Sequence, residues 1–543
     1  MKALMQDLPL NTNMIFRRGE QIFPTRTIAT KRADGQTEHI TFAEFAAQAR
    51  GMAGVLDSLE LSAPDARVGT FGWNTGNHML AYFAVPGTGR VMHTINIRLF
   101  AEQVIYTVTH AEDEAILVDR SLLPLLAKYL PELKAVQHVL VFDDGAATEL
   151  PDDSRIRLYS DVVSSVEPID FADNPLDEWS AAAMCYTTGT TGNPKGVVYS
   201  HRSTYLHSYA SLTAAALNLG DSDTILPVVP MFHANAWGIP YAAYLAGANV
   251  AMPGPDLSPD GLLNFIADEQ VTVASGVPTI WMGMLPKLAE HDTSSLRKVM
   301  AGGSAVPRSL SDGWREAIGI PITQGWGMTE TSPVASMTCL RAEVADADED
   351  TKAVIRASAG MALPGLEMRI VDEEGTVLPW DDDATGQVEA RGPWVAAAYY
   401  NNEEPGTQFS PDGWLRTGDV GAISPLGYMR LVDRTKDLIK SGGEWISSVD
   451  LENRIMGHPD VAEAAVIALP HPKWMERPLA CVVAKEGTSP SKEDILGFLS
   501  DAGVSKMGLP DDVVFLEEIP KTSVGKFSKR LLREQYADHE LPT

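Results

Sequence analysis

Tyr186-Thr187-Thr188-Gly189-Thr190-Thr191-Gly192-Asn193-Pro194-Lys195-Gly196 is poorly suited to a core and well suited to holding phosphate. Glycines let the backbone approach a ligand, four threonine hydroxyls can donate to phosphate oxygens or ligate a cation, and Lys195 adds positive charge. The stretch departs from the P-loop, which needs Gly, four residues, then Gly-Lys-Ser/Thr. Here Pro194 stands five residues after Gly189, and Gly196 follows Lys195. Apolar residues run from Ala181 to Tyr186 before it and from Val197 to Tyr199 after it. The pattern reads as strand, mobile loop, strand. A plain Thr/Gly turn uses the same residue types, so other stretches have to decide between an anion cradle and a turn.

Working outward, short apolar runs alternate with longer helical patterns on both sides. Upstream, strand-like Val68 to Trp73 precedes a helix start at Asn74-Thr75-Gly76-Asn77. Ala115 to Val118 precedes the helical pattern Leu122 to Tyr129, and Val136 to Phe142 follows. Downstream, Thr224 to Val229 leads into a helical pattern over Phe232 to Leu245. Val250 to Met252, Val271 to Gly276 and Lys298 to Met300 each lead into a helix, and Ile322 to Gly325 closes the series. Such alternation predicts βαβ units and parallel sheets, hence two doubly wound α/β layers in tandem with ligands at the carboxyl ends of strands. Gly302-Gly303-Ser304-Ala305 and Gln324-Gly325-Trp326-Gly327-Met328-Thr329-Glu330 fall at such ends.

From about Leu363 to Arg434 the grammar changes to short strands and turns, a β-rich subdomain. Asp433-Arg434-Thr435-Lys436-Asp437 is a charged connector. Beyond it the pattern predicts a small α/β domain, so the expected division is an N-terminal domain over 1–433 and a mobile C-terminal domain over 434–543.

The 543 residues exceed what one core supports. The net charge of -29 argues against nucleic acid or an anionic membrane as partner. Three well-separated cysteines, Cys185, Cys339 and Cys481, give neither a disulfide framework nor a zinc site. No apolar run has the roughly 18 to 20 residues of a membrane span. The first residues lack the apolar core of a signal peptide, so a cytoplasmic protein is expected.

Five motifs carry a resemblance over nearly the whole chain. They are the loop at 187–196, Gly325-Trp326-Gly327-Met328-Thr329-Glu330-Thr331-Ser332-Pro333, Trp414-Leu415-Arg416-Thr417-Gly418-Asp419, the run from Asp433 to Ser447, and Pro520-Lys521-Thr522-Ser523-Val524-Gly525-Lys526. Together, and in this order, they resemble the adenylate-forming superfamily, specifically its acyl-CoA synthetases. Pro230-Met231-Phe232-His233-Ala234-Asn235-Ala236-Trp237 and Pro470 to Pro478 are similar to the bacterial medium- and long-chain branch. The whole chain most resembles the 3-methylmercaptopropionate-CoA ligases of marine bacteria that degrade dimethylsulfoniopropionate.

The resemblance implies ATP, Mg2+ and coenzyme A as cofactor and co-substrates, a small or medium apolar carboxylic acid as substrate, and a homodimer. A carboxylate attacks the α-phosphorus of ATP, giving acyl-adenylate and pyrophosphate; the thiol of coenzyme A then displaces AMP. It implies that Thr187, Thr188, Gly189, Thr190, Thr191, Gly192 and Lys195 wrap the outer phosphates. Glu330 and Thr187 would hold Mg2+, and Thr329 would contact the α-phosphate. Gly302, Gly303, Ser304, Gln324, Gly325, Trp326 and Gly327 would line the nucleotide slot, with Trp326 stacking on adenine, while Asp419 and Arg434 would read the ribose. Lys526 would neutralise the attacking carboxylate, His233 and Trp237 would sit on the substrate helix, and Trp237 and Trp445 would gate the acyl tunnel. Lys436, Lys440 and Trp445 would face the coenzyme A channel after rotation about Asp433. Trp326 and Arg434 fall where the family varies.

Taken singly, several of these residues read otherwise. Glu330 alone is a carboxylate near a helix start, Asp419 alone a turn residue, His233 alone structural, and Lys526 alone a solvated surface lysine. Two further activities stay open: a general medium- or long-chain fatty-acid-CoA ligase, and an adenylating enzyme that passes its acyl group to another carrier. No carrier domain follows Thr543, which favours coenzyme A.

Overall fold

The computed structural model describes residues 1, 4–62, 65–187, 193–402, 407–441, 444–522 and 526–542. Among these, the strands form four sheets. The first runs, edge to edge, through Ile156–Leu158, His138–Phe142, Asp113–Asp119, Arg67–Phe71, Val91–Thr94, Ala181–Tyr186 and Gly196–Ser200. All its neighbours are parallel except the last pair, where Tyr186 faces Gly196 across an antiparallel register. The strands that flank residues 187–195 therefore pair at the sheet's edge, as the sequence reading expects of them.

The second sheet has a parallel centre: Ile322–Gly327, Lys298–Ala301, Val273–Gly276, Thr224–Pro227, Asn249–Met252 and Thr27–Lys31. Antiparallel strands extend both edges, Thr37–Thr41 on one side and Val334–Met337 with Met361–Ala362 on the other. The hairpin at 27–41 was not marked by the alternation, which begins at Arg67; it joins from far upstream in the chain. A capping box at its end, in which the Thr41 hydroxyl accepts from the Glu44 N–H and Glu44 accepts from the Thr41 N–H, starts the helix Phe42–Ser58.

One apolar cluster joins the sheets, reaching from Val68 and Leu117 of the first to Ile225 and Val250 of the second. Between them stack the rings of Phe16, Phe42, Phe45, Phe83 and Tyr244, with Phe42 and Tyr244 centroids 4.3 Å apart. The β-rich part is an antiparallel meander of Glu367–Val371, Gly386–Arg391, Leu415–Ile423 and Met429–Arg434. The fourth sheet is built on the long pair Val461–His471 and Met475–Ala484, and its cores draw on residues from Ile439 onward.

The helical pattern over Phe232 to Leu245 requires a correction. The α-helix begins only at Ile239, with Pro240 in its first turn. Before it, Ala234, Asn235, Ala236 and Trp237 adopt left-handed backbone, with φ of 44°, 52°, 47° and 57°. Trp237 thus lies on a left-handed turn and His233 is the extended residue just before it, so neither is on a helix. Proline lacks the N–H that would bond back to Ala236, so a right-handed helix running through this point would lose that bond and crowd the Ala236 carbonyl. The cost of left-handed backbone, roughly 1–2 kcal/mol per non-glycine residue, is offset by anchors. Asn235 Oδ1 accepts from Thr94 Oγ1 at 3.2 Å and from Cys185 Sγ at 3.1 Å, both in the first sheet.

Candidate active site

Several strands of the second sheet release the chain at their carboxyl ends into one cavity of about 390 Å³. Strand Thr224–Pro227 leads to Pro230, His233 and Trp237, strand Val273–Gly276 to Val277, and strand Lys298–Ala301 to Gly302 and Gly303. Strand Ile322–Gly327 leads to Thr329 and Glu330. Thr187 and Lys195 enter from the first sheet, Arg434 and Lys436 from the connector, and Lys526 from the far end of the chain.

Two glycines make room. A Cβ on Gly302 would lie 2.9 Å from Trp237 Cη2 and 3.0 Å from the Gly325 carbonyl oxygen. Gly303 has φ of +87°, and a Cβ there would lie 3.2 Å from Lys526 Cε. Lys526 therefore reaches over the Gly302-Gly303 turn. Burial pushes its ammonium down to about 8, reinforced by Arg434 and opposed by Asp419 and Glu330. The same lysine helps burial push the His233 imidazole down to about 3. His233 is neutral near pH 7, and among the described residues its buried Nδ1 has no hydrogen-bond partner.

Asp419 is buried, and both its oxygens are engaged. Oδ1 pairs with Arg434 Nε at 2.8 Å across adjacent strands, and Oδ2 accepts from Trp326 Nε1 at 3.0 Å. The Trp326 indole lines the cavity while its N–H fixes Asp419. Glu330 is buried on a short 3-10 turn, Thr329–Thr331. Its Oε1 accepts from the Tyr399 hydroxyl at 2.5 Å. Lys195 Nζ donates to Gln408 Oε1 at 2.8 Å and lies 4.7 Å from the Tyr399 ring centroid. Thr187 and Lys195 close the base of the loop through the Thr187 N–H to the Lys195 carbonyl, 2.9 Å, and the Lys195 N–H to Thr187 Oγ1, 3.1 Å.

Not every expected residue meets there. Thr188, Gly189, Thr190, Thr191 and Gly192 lie outside the described residues. Ser304 is exposed and outside the cavity lining, and Gln324 turns away, its Oε1 accepting from the Val306 N–H at 2.8 Å. Lys440 and Trp445 are also elsewhere. Trp445 is exposed and borders a second cavity, with Lys440 Nζ 4.7 Å from its ring centroid, so it forms no gate with Trp237 in this arrangement. Asp433 is buried in the connector: Oδ2 accepts from the Ser448 N–H at 2.6 Å and the Ser448 hydroxyl at 2.5 Å, and Oδ1 from the Arg434 N–H. Tyr399 and Gln408 lie in the cavity wall and were missed from sequence. Tyr399 lies within Ala396-Ala397-Ala398-Tyr399-Tyr400, a stretch with no charge, motif or period to mark it.

Comparison with known proteins decides the family. The AMP-binding enzyme model matches residues 16–400, and the AMP-binding enzyme C-terminal domain model matches residues 450–526. The chain is an AMP-binding enzyme. Among relatives of this enzyme, a long-chain-fatty-acid–CoA ligase of Thermus thermophilus is 44% identical over 540 residues, covering 99% of this chain and 97% of that one. A 3-methylmercaptopropionyl-CoA ligase of Ruegeria lacuscaerulensis is 40% identical over 540 residues, covering 99% of each. Among solved structures, the anthranilate CoA ligase AuaEII with anthranoyl-AMP superposes with a TM-score of 0.87 at 25% identity, covering 99% of each chain. This AMP-binding enzyme is an acid–thiol ligase that uses ATP, Mg2+ and coenzyme A.

Proposed function

We propose that this ligase activates a small or medium apolar carboxylic acid, with 3-methylmercaptopropionate as the favoured substrate, and that the cavity performs the adenylation half of the reaction. The observation that carries the reading is the meeting of Lys526, His233, Gly303 and Glu330 in one cavity although they come from widely separated parts of the chain. Both halves of the reaction build negative charge, and preorganised cations and donors are usually the largest catalytic term for such chemistry.

The substrate acid is ionised at neutral pH, so the first half needs no general base. Lys526 supplies positive charge where the carboxylate oxygen approaches the α-phosphorus. Neutral His233 adds no competing charge and leaves a nitrogen free to orient the acid. Thr329 would contact the α-phosphate, Arg434 with Asp419 behind it would read the ribose, and Lys195 would take the outer phosphates as the bond to pyrophosphate breaks. In the second half the coenzyme A sulfur attacks the acyl carbon and AMP departs with the electron pair.

The residues fit Mg2+. Such an ion takes oxygen ligands and is commonly held by one or two carboxylates plus phosphate oxygens. Glu330 is a buried carboxylate at the cavity wall, and among the described residues its Oε2 takes no hydrogen bond. Thr187 adds a hydroxyl. Bound Mg2+ would neutralise phosphate charge as it develops.

Apolar Ala234, Trp237, Val277, Met300 and Val334 on the cavity wall favour an uncharged acyl chain. Two 3-methylmercaptopropionyl-CoA ligases, at 40% and 42% identity, support the thioether acid, and fatty-acid–CoA ligases at 44% and 41% support the general medium- or long-chain alternative. Apolar pockets discriminate by only about 1–3 kcal/mol per methylene. A panel of 3-methylthiopropionate, propionate, butyrate, hexanoate and longer acids, read as kcat/KM for thioester formation, tests the choice. A maximum at 3-methylthiopropionate is expected; a value rising steadily with chain length overturns it in favour of the fatty-acid reading.

We also propose that residues 1–433 and 434–543 act as two domains hinged at Asp433, held here in the adenylating arrangement. The fold superposes on ATP-bound MatB of Rhodopseudomonas palustris with a TM-score of 0.82 and on apo MatB with 0.73, at equal coverage, which supports this pose. A homodimer in the cytoplasm completes the reading. Among the described residues no helix is long and apolar enough to cross a membrane, and the three cysteines are unpaired.

A further inference from the structure

The cavity holds its outer-phosphate groups through a residue with no assigned role. Tyr399 follows the strand Gly386–Arg391 in a segment stitched to both sides of the site. The Ala396 N–H donates to the Glu330 carbonyl at 2.7 Å, and the Tyr400 N–H donates to the Gly196 carbonyl at 2.9 Å, where the Thr/Gly loop ends. The Tyr399 side chain repeats this bridge. Its hydroxyl donates to Glu330 Oε1 at 2.5 Å, within the 2.5–2.7 Å range of a charge-assisted O–H···O⁻ bond. Its ring face meets the Lys195 ammonium 4.7 Å from the centroid.

One side chain thus constrains an anion and a cation that the mechanism needs at a fixed spacing. The phenol O–H occupies one carboxylate oxygen and leaves the other without a hydrogen bond among the described residues. The ring, with Gln408 as second tether, keeps Lys195 from folding onto Glu330 and cancelling its charge. We infer that Tyr399 is a positioning residue for the first half-reaction, setting Glu330 to receive a divalent cation and Lys195 to receive the outer phosphates of the nucleotide. The inference rests on the reading of Glu330 as the cation's carboxylate.

The test measures Mn2+ binding by electron paramagnetic resonance, in the presence of α,β-methylene-ATP, on the full chain. Y399F keeps the ring and loses only the hydroxyl. It is expected to melt like the parent, to bind the metal-free nucleotide normally and to weaken Mn2+ binding about tenfold, the lower end for loss of a partner that orients a ligand. E330Q should weaken Mn2+ binding at least as much, and the double variant Y399F/E330Q no more than E330Q alone, because both changes remove one coupled interaction. Y399L should also weaken binding of the metal-free nucleotide, through Lys195.

Parent-like Mn2+ affinity in Y399F, with E330Q impaired, overturns the role of Tyr399 and leaves Glu330 standing. Parent-like affinity in E330Q overturns both readings, whatever Y399F does. A double variant weaker than E330Q by the full Y399F factor also overturns the inference, because the hydroxyl would then act on something other than Glu330. Normal metal-free nucleotide binding by Y399L removes the Lys195 part.

Discussion

The two charged ends of the cavity are held in different ways. At the outer-phosphate end, Glu330, Lys195 and Thr187 come from the large body of the chain, and each has a protein partner in place. At the adenylate end, Lys526 arrives from the last part of the chain. Its backbone N–H is tied to Thr522 Oγ1 at 3.2 Å, but among the described residues its ammonium has no hydrogen-bond partner, and burial lowers its affinity for a proton. At one end every charged group already has a protein partner, with Glu330 Oε2 left open. At the other is a partly buried cation that gains a partner only when an anion enters, so its charge is available to the reacting carboxylate.

The largest effect that would break this comparison is on Lys526 itself. Lys526→Ala is expected to lose about 10²- to 10³-fold in adenylation, the scale for one preorganised charge donor, while still converting supplied acyl-adenylate to thioester. Rapid-quench assays of the separate halves measure this, and equal losses in both would refute a role confined to adenylation.

A smaller and sharper effect lies in the pH dependence. With its folded value near 8 against an ordinary 10.5, Lys526 is charged below about pH 8 and loses its proton as pH rises through it. The kcat/KM for adenylation, which reports the free enzyme, should fall above about pH 8. The assay must stop at acyl-adenylate, since the coenzyme A thiol titrates in a similar range. Lys526→Arg should remove the fall, because a guanidinium stays charged. Stability has the opposite sign: the unfolded chain keeps this proton up to 10.5 while the folded chain releases it near 8, so this group's contribution to stability rises with pH between those values. A pH-independent adenylation rate through this window would place the catalytic charge elsewhere.

The smallest expected effect tests the acyl wall. Asn235→Ala removes the acceptor for Thr94 and Cys185 and leaves a less tolerant residue in left-handed backbone. A loss of about 1–3 kcal/mol of stability is expected, together with a higher KM for the acid and an unchanged KM for ATP. Urea unfolding and steady-state kinetics with each substrate varied distinguish this from a general loss. Equal change in both KM values would mean that the turn does not shape the acyl side alone.

Much of the fold was legible in the chain. The Ala181 to Tyr186 and Val197 to Tyr199 runs appear as strands around the loop, and the downstream alternation appears as the parallel centre of the second sheet. Local periodicity encodes these elements directly, since one face of each strand or helix must be buried. The left-handed turn at 234–237 escaped because its residues are apolar and compatible with a helix; what holds it is a side chain anchored in another sheet. Lys195 and Gly303 stand out as residue types that suit phosphate or close approach, whereas Glu330 was marked by its resemblance to a motif.

Lys526 and Tyr399 do not stand out by type or spacing. The first was marked by its resemblance to a motif, and the second not at all. The sequence by itself determined which segments become strands, helices and glycine turns, because those follow from side-chain periodicity and backbone freedom along the chain. Only the tertiary structure decided that Lys526 loses part of its water beside Gly303 and that Tyr399 spans Glu330 and Lys195. Desolvation and charge coupling depend on distances through space between residues that the chain keeps from 69 to more than two hundred positions apart.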